Sequence, residues 1–184
     1  MPIPRPFATA DADDETFDGY DEFVLAHLPD PGPFLDGADV LTGDDHVAFH
    51  RLTRDIFEER GVYDATFGYN LARLNLDSRH PNAGFRYAVA PDDARVLLAE
   101  FTPTTEFCPQ SDSLTKGSFR AWNGLADRHE YDRVSVAVAP LHHDSTRINE
   151  TLGDFERQYR GEGTPENESR RANNEPDDGP ATPF

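Results

Sequence analysis

Two apolar runs separated by a short segment with a Pro-Asp-Asp turn constrain this chain most. Phe85, Tyr87 and Val89 recur at every second position, the period of a strand that turns one face to a core. Val96 to Phe101 is a mostly apolar run. Between them Pro91 presets φ, and Asp92 and Asp93 can bond their own backbone. The pair reads as a hairpin. A last strand is expected from Tyr131 to Ala139, with Val134, Val136 and Val138 on one face, and a weaker alternation appears at Leu74 and Leu76.

Helical spacing fills much of the remainder. Phe17, Tyr20, Phe23, Val24 and Leu28 predict a helix over Phe17–Leu28, ended by Pro29, Pro31 and Pro33. Phe49, Leu52, Ile56 and Phe57 form the stripe of a helix from Asp44 to Arg60, capped by Thr42 or Asp44 and stopped by Gly61. Further helices are expected from about Pro109 to Gly124, and from Asp144 to Tyr159 with Ile148, Leu152 and Phe155 inward. These elements together read as an α/β fold of two-layer α+β type. A small mixed or antiparallel sheet of three to four strands carries helices packed on it.

A chain of 184 residues suits one domain with tails. Residues 1–16 read as a flexible N-terminus, Pro-rich and then acidic, and residues 17–159 as the domain. Over residues 160–184 only Ala172, Ala181 and Phe184 are apolar. That acidic tail is expected to be disordered, since it cannot offset its ordering entropy. No apolar run approaches the ~20 residues that cross a bilayer. Met1 to Ala10 holds no apolar core of signal-peptide length, and the single cysteine cannot form an internal disulfide. The chain is therefore expected to be neither a membrane protein, nor an exported precursor, nor a disulfide scaffold.

Asp and Glu number 35 against 17 Lys and Arg, a formal charge of −18, and Lys116 is the only lysine. Such a charge repels itself in dilute salt, but at molar ionic strength the Debye length is only ~3 Å. The composition reads as a cytoplasmic protein of a salt-in halophile, in particular a haloarchaeon. Its acidity argues against binding nucleic-acid phosphates.

The chemistry-bearing stretch runs from Phe101 through Thr102-Pro103-Thr104-Thr105-Glu106-Phe107-Cys108-Pro109 to Asp112. A strand ends, a polar loop follows, and Pro109 suits the first position of a helix. Cys108 then falls at or next to the N-cap, where free N–H groups and the helix dipole favour a thiolate. Thr104 and Asp112 can orient it. A buried structural cysteine and a nucleophile paired with His142 or His143 are the other readings of the same residues.

Thr102-Pro103-Thr104 followed by Cys108-Pro109 and Asp112 resembles the loop of a family of small α/β iron–sulfur assembly factors. That family includes the SufT-like and PaaD-like proteins and the eukaryotic cytosolic iron–sulfur targeting subunit. His142, Asn149, Leu152, Asp154, Glu156 and Arg157 resemble the C-terminal helix of its eukaryotic-type members. The resemblance spans Val96 to Arg157, about a third of the chain. The Asp-Pro-Glu turn and Asp-Leu-Gly-Leu segment of many members are absent; only Gly61 to Asn70 occupies their place. The resemblance implies an assembly or carrier factor that serves iron–sulfur client or assembly proteins. It implies Cys108 as the functional thiol and Thr102, Thr104, Pro109 and Asp112 as its supporting loop. Clusters usually take four protein ligands, mostly Cys. One thiol per chain therefore implies a transient cluster, shared in a homodimer or completed by His142, His143 or a client, or no cofactor at all.

His46 and His50 are spaced i, i+4, but the His-Glu-x-x-His motif is absent, and they are expected on a solvated face. Phosphate loops, Gly-x-Ser-x-Gly elbows and Cys-x-x-Cys pairs are likewise missing. Two other functions compete with the carrier. One is a non-catalytic protein-binding adaptor with Trp122 and the N-terminal helices as its surface. The other is a thiol enzyme, which needs an imidazole on the sulfur.

Overall fold

The computed structural model describes residues 16–162. The sequence expectations for residues 1–16 and 160–184 therefore fall outside it, apart from Thr16 and Arg160–Glu162. No helix among the described residues is long and apolar enough to cross a membrane.

The expected hairpin forms the middle of the molecule. Strands β4 (Gly84–Val89) and β5 (Val96–Thr102) pair antiparallel, with Phe85 opposite Phe101 and Tyr87 opposite Ala99. A two-residue β1 (Asp39–Val40) adds antiparallel to β4. The last strand, β6 (Arg133–Val138), adds parallel to β5, placing Val134, Val136 and Val138 beside Leu97, Ala99 and Phe101. The sheet is thus mixed, in the order β1-β4-β5-β6. Strands β2 (Tyr63–Asp64) and β3 (Tyr69–Asn70) form a separate ribbon. Among the described residues three long α-helices pack with the sheet: α1 (Gly43–Arg60), α2 (Ser111–Gly124) and α3 (Ser145–Glu162). A parallel pair needs a crossover, and α2 supplies it between β5 and β6.

Aromatic rings fill the layer between sheet and helices. Trp122 of α2 is fully buried, with its ring 5.0 Å from Phe57 of α1 and 5.1 Å from Phe85 of β4. Its indole N–H donates to Thr53 Oγ1 at 3.1 Å, as a buried Trp requires. The burial agrees with core packing for Trp122 and removes it from the surface that the adaptor alternative assigned to it.

Three asparagines satisfy backbone that the sheet leaves unpaired. Asn75, Asn123 and Asn149 each accept from the N–H and donate to the C=O of one strand residue: Phe85, Val134 and Val138 respectively. A primary amide matches both groups of an extended residue. The outer edge of β6 is capped this way by Asn123 and Asn149.

The other face of the sheet carries Arg86 opposite Glu100, both buried. The Pro-rich segment 28–36 lies over them. Glu100 accepts from the N–H groups of Gly32 (2.6 Å) and Phe34 (3.3 Å), and Arg86 donates to the Pro29 carbonyl at 3.1 Å.

Three local expectations are corrected. Phe17–Leu28 is not an α-helix; Phe17 makes an antiparallel bridge to Asp77, and only Leu25–His27 coils, as a 3-10 turn. Phe17 is held against the Tyr69 ring at 5.8 Å and beneath Arg73 at 3.8 Å, so tertiary contacts override its spacing. Leu74 and Leu76 lie in a 3-10 helix, Leu71–Leu76, where the Asn70 side chain caps Ala72 N–H. Helix α2 begins at Ser111 rather than Pro109. The Gln110 amide is tied to the ribbon turn, donating to Thr66 Oγ1 at 2.6 Å and accepting from Ala65 N–H at 3.0 Å.

Candidate functional site

The loop between β5 and α2 presents the cysteine. Thr102 ends β5, Thr104 is half-buried, and Pro109 is exposed. Cys108 is a free, half-buried thiol. It stands two residues ahead of Gln110, the N-cap, and its carbonyl accepts from Ser111 N–H at 3.3 Å. Asp112, in the first turn of α2, faces cations: it pairs with Lys116 at 2.8 Å and lies 3.8 Å from Arg147.

Both candidate histidines reach this loop from the start of α3, and both hold its backbone. His142 is buried, and its Nε2 lies 2.9 Å from the Cys108 carbonyl oxygen. Its Nδ1 accepts from Asp144 N–H at 3.0 Å, so Nε2 carries the proton and donates to that carbonyl. His143 donates twice to the Glu106 carbonyl, from its backbone N–H at 3.0 Å and its Nδ1 at 2.9 Å. Residues 34 and 37 positions apart in sequence thus fasten the segment around Phe107.

This geometry bears on the chemistries foreseen for the site. Among the described residues, no group of three or more His, Cys, Asp or Glu is placed to hold a metal ion. Cys108 supplies one thiol, while both His142 nitrogens are engaged in hydrogen bonds. The residues present do not fit a resident iron–sulfur cluster within one chain. A Cys–His nucleophile pair needs a ring nitrogen on sulfur; His142 reaches the carbonyl instead.

Apolar surface is exposed on the fastened loop and in the segment ahead of α3. Phe107 is 68% exposed and Leu141 47% exposed, two of the four large hydrophobic residues exposed among those described. The Phe107 ring rests against His143, with centroids 5.0 Å apart. Neither residue stood out in the sequence, because a single Phe in a polar loop carries no periodic signal.

His46 and His50 are buried, not solvated. They stack at 5.6 Å, and the N-terminal segment covers them through Phe23 and Tyr20. His50 donates from Nε2 to the Ala72 carbonyl at 2.7 Å, and its Nδ1 faces the Tyr87 hydroxyl at 2.8 Å. His46 Nδ1 has no hydrogen-bond partner. Burial holds His46 down to about 3 and His50 to about 4.

A family model described as "Domain of unknown function (DUF7998)" matches residues 15–166. The chain belongs to this family. The DUF7998 match takes in every described element, including the Cys108 loop and both histidines that fasten it. No curated protein and no solved structure matches the chain.

Proposed function

We propose that this protein is a non-catalytic protein-binding module whose contact surface is the 103–109 loop, with Phe107 at its centre. The observation that carries the reading is Phe107, 68% exposed on a loop fastened by His142 and His143. An aromatic side chain held ready outside the fold loses little entropy on docking, and such residues dominate binding energy at interfaces. Its partner is a protein with an apolar hollow that takes the ring. The net charge of −18 and the single lysine support a cytoplasm of high salt as its setting, that of a haloarchaeon. Coulomb steering is screened there, and apolar contact remains.

A second reading rests on the half-buried Cys108 thiol beside Phe107. The resemblance to iron–sulfur assembly factors makes the same loop a hand-over site whose ligands the client completes. Two measurements separate the readings. Partner recovery from cell extract is compared among wild type, Phe107→Asp and Cys108→Ser, and each is reconstituted anaerobically with iron and sulfide in molar KCl. The adaptor reading expects recovery to fall about tenfold or more in Phe107→Asp and to hold in Cys108→Ser, with equal, negligible iron in all three. Cys108-dependent iron and visible absorption would overturn it in favour of the carrier.

A further inference from the structure

A hollow of about 490 Å³ opens between β1, the first half of α1 and the segment that leads into β6. Its volume is that of a small-molecule site. Its lining joins aromatic rings, aliphatic groups and carboxylates from parts of the chain far apart in sequence.

The rings come first. Phe49 of α1 lines the hollow together with His129 and Tyr131, which precede β6. The three rings meet pairwise: centroids lie 5.9 Å apart for Phe49 and Tyr131, 6.4 Å for Phe49 and His129, and 6.1 Å for His129 and Tyr131. Two of them are fixed by the fold. Phe49 is buried with its centroid 4.7 Å from that of Tyr87. His129 donates from Nε2 to the Trp122 carbonyl at 2.9 Å and accepts from Tyr131 N–H at 3.2 Å, so both ring nitrogens are engaged. Leu41, Leu52 and Val89 add aliphatic surface. A wall built in advance lowers the ordering cost of binding.

The charge comes second. Asp39, Asp45 and Glu130 line the same hollow and are exposed. Arg128, also in the lining, is held by Glu59. Acid is abundant throughout this chain, at 35 residues, so carboxylates alone would say little. Here two of them act on one of the rings: burial first, then the charge and hydrogen bond of Glu130 and the charge of Asp45, raise the Tyr131 hydroxyl above its ordinary value. Carboxylates around aromatic rings attract a cation that sheds its water easily, and the aliphatic groups beside them favour one that carries methyl groups.

We infer that this hollow binds a small methylated ammonium compound, its cationic head against Phe49, His129 and Tyr131 and beside the carboxylates of Asp45 and Glu130. The site is separate from the Phe107 loop and stands whether or not that loop docks a protein.

The test is titration of the full chain in molar potassium chloride with choline and with its uncharged isostere, in which carbon replaces nitrogen. The Tyr131 ring and the ligand methyl groups are followed by NMR. Choline is expected to shift the ring resonances saturably and to show Overhauser contacts from its methyl groups to Tyr131 and Phe49. The isostere is expected to bind roughly tenfold more weakly or not at all. Potassium is in excess throughout, so saturable binding also shows that the site selects the methylated head over a bare cation. Tyr131→Leu, which keeps apolar bulk, is expected to weaken choline binding roughly tenfold. Asp45→Asn combined with Glu130→Gln, both at exposed positions, is expected to weaken it roughly threefold or more at an unchanged thermal midpoint. The inference is overturned by no saturable shift with choline, by equal binding of the isostere, by contacts to other residues only, or by undiminished binding in either variant.

Discussion

Lowering the pH from 7.5 to 5 tests the buried histidine pair. In the folded protein burial holds His46 near 3 and His50 near 4, against an ordinary value of 6.5. The second contribution to His46 is its neighbour His50; for His50 the bond to Ala72 opposes the shift. At pH 5 the unfolded imidazoles are protonated while the folded ones are neutral. The unfolded state then binds more protons, so stability falls as the pH falls. The window runs from just above 6.5 down to the folded values. At pH 5, about 1.5 units below the unfolded value, each site costs about 2 kcal/mol, and the pair about 4 kcal/mol. Carboxylates held low by hydrogen bonds, such as Asp132 and Asp144, lose their stabilisation lower still, in the carboxylate range. Glu100 runs the other way: burial raises its carboxyl, so its contribution is lost as the pH rises. Urea unfolding at constant salt, read by the fluorescence of the single, fully buried Trp122, measures the change. His46→Phe keeps an aromatic ring against Phe23 and Tyr87, removes one titrating site, and is expected to halve the pH dependence. A wild-type loss below about 1 kcal/mol, or an unchanged slope in His46→Phe, would refute the assignment of buried neutral histidines.

Asn123→Ala leaves both polar groups of the buried Val134 backbone without their amide partner. A loss of about 3 kcal/mol is expected in the same urea assay; a change within experimental error would show that water or a shifted β6 replaces the amide. Gly84→Ala is expected to cost about 3 kcal/mol or more. Gly84 has φ +114°, and its added Cβ would lie 2.1 Å from Asn75 Oδ1, the acceptor for Phe85 N–H. Wild-type stability in that variant would mean that Asn75 does not fix the start of β4.

Buried layers of this molecule are polar where its connections are polar. Arg86, Glu100, the histidine stack and the three bidentate asparagines each hold backbone that no ladder reaches. Groups of this kind contribute little net energy when satisfied and cost much when one partner is removed. They specify one arrangement of the N-terminal segment and of the edge of β6.

Local pattern alone determined the hairpin from Phe85 to Phe101, the β6 run of valines, the bodies of helices α1, α2 and α3, and hence the α/β class. In each, periodicity matches a face that one neighbouring layer covers. The Cys108 loop was legible as a strand-to-helix connection for the same reason. His142 and His143 were expected beside Cys108 and do reach its loop; that they bond to main-chain carbonyls rather than to sulfur was not legible, because such bonds leave no mark in side-chain spacing. Residues 17–28 kept a helical spacing but took their form from Asp77, Tyr69 and the rings of His46 and His50. The burial of those histidines followed from that packing, since a helix face opposite one apolar stripe is solvated only if nothing else covers it. Phe49, His129 and Tyr131 come together only when α1 meets the segment ahead of β6, a contact between residues about 80 positions apart. Adjacency along the chain decides local conformation, whereas burial, hydrogen-bond partners and hollows are properties of surfaces that meet only in the folded state.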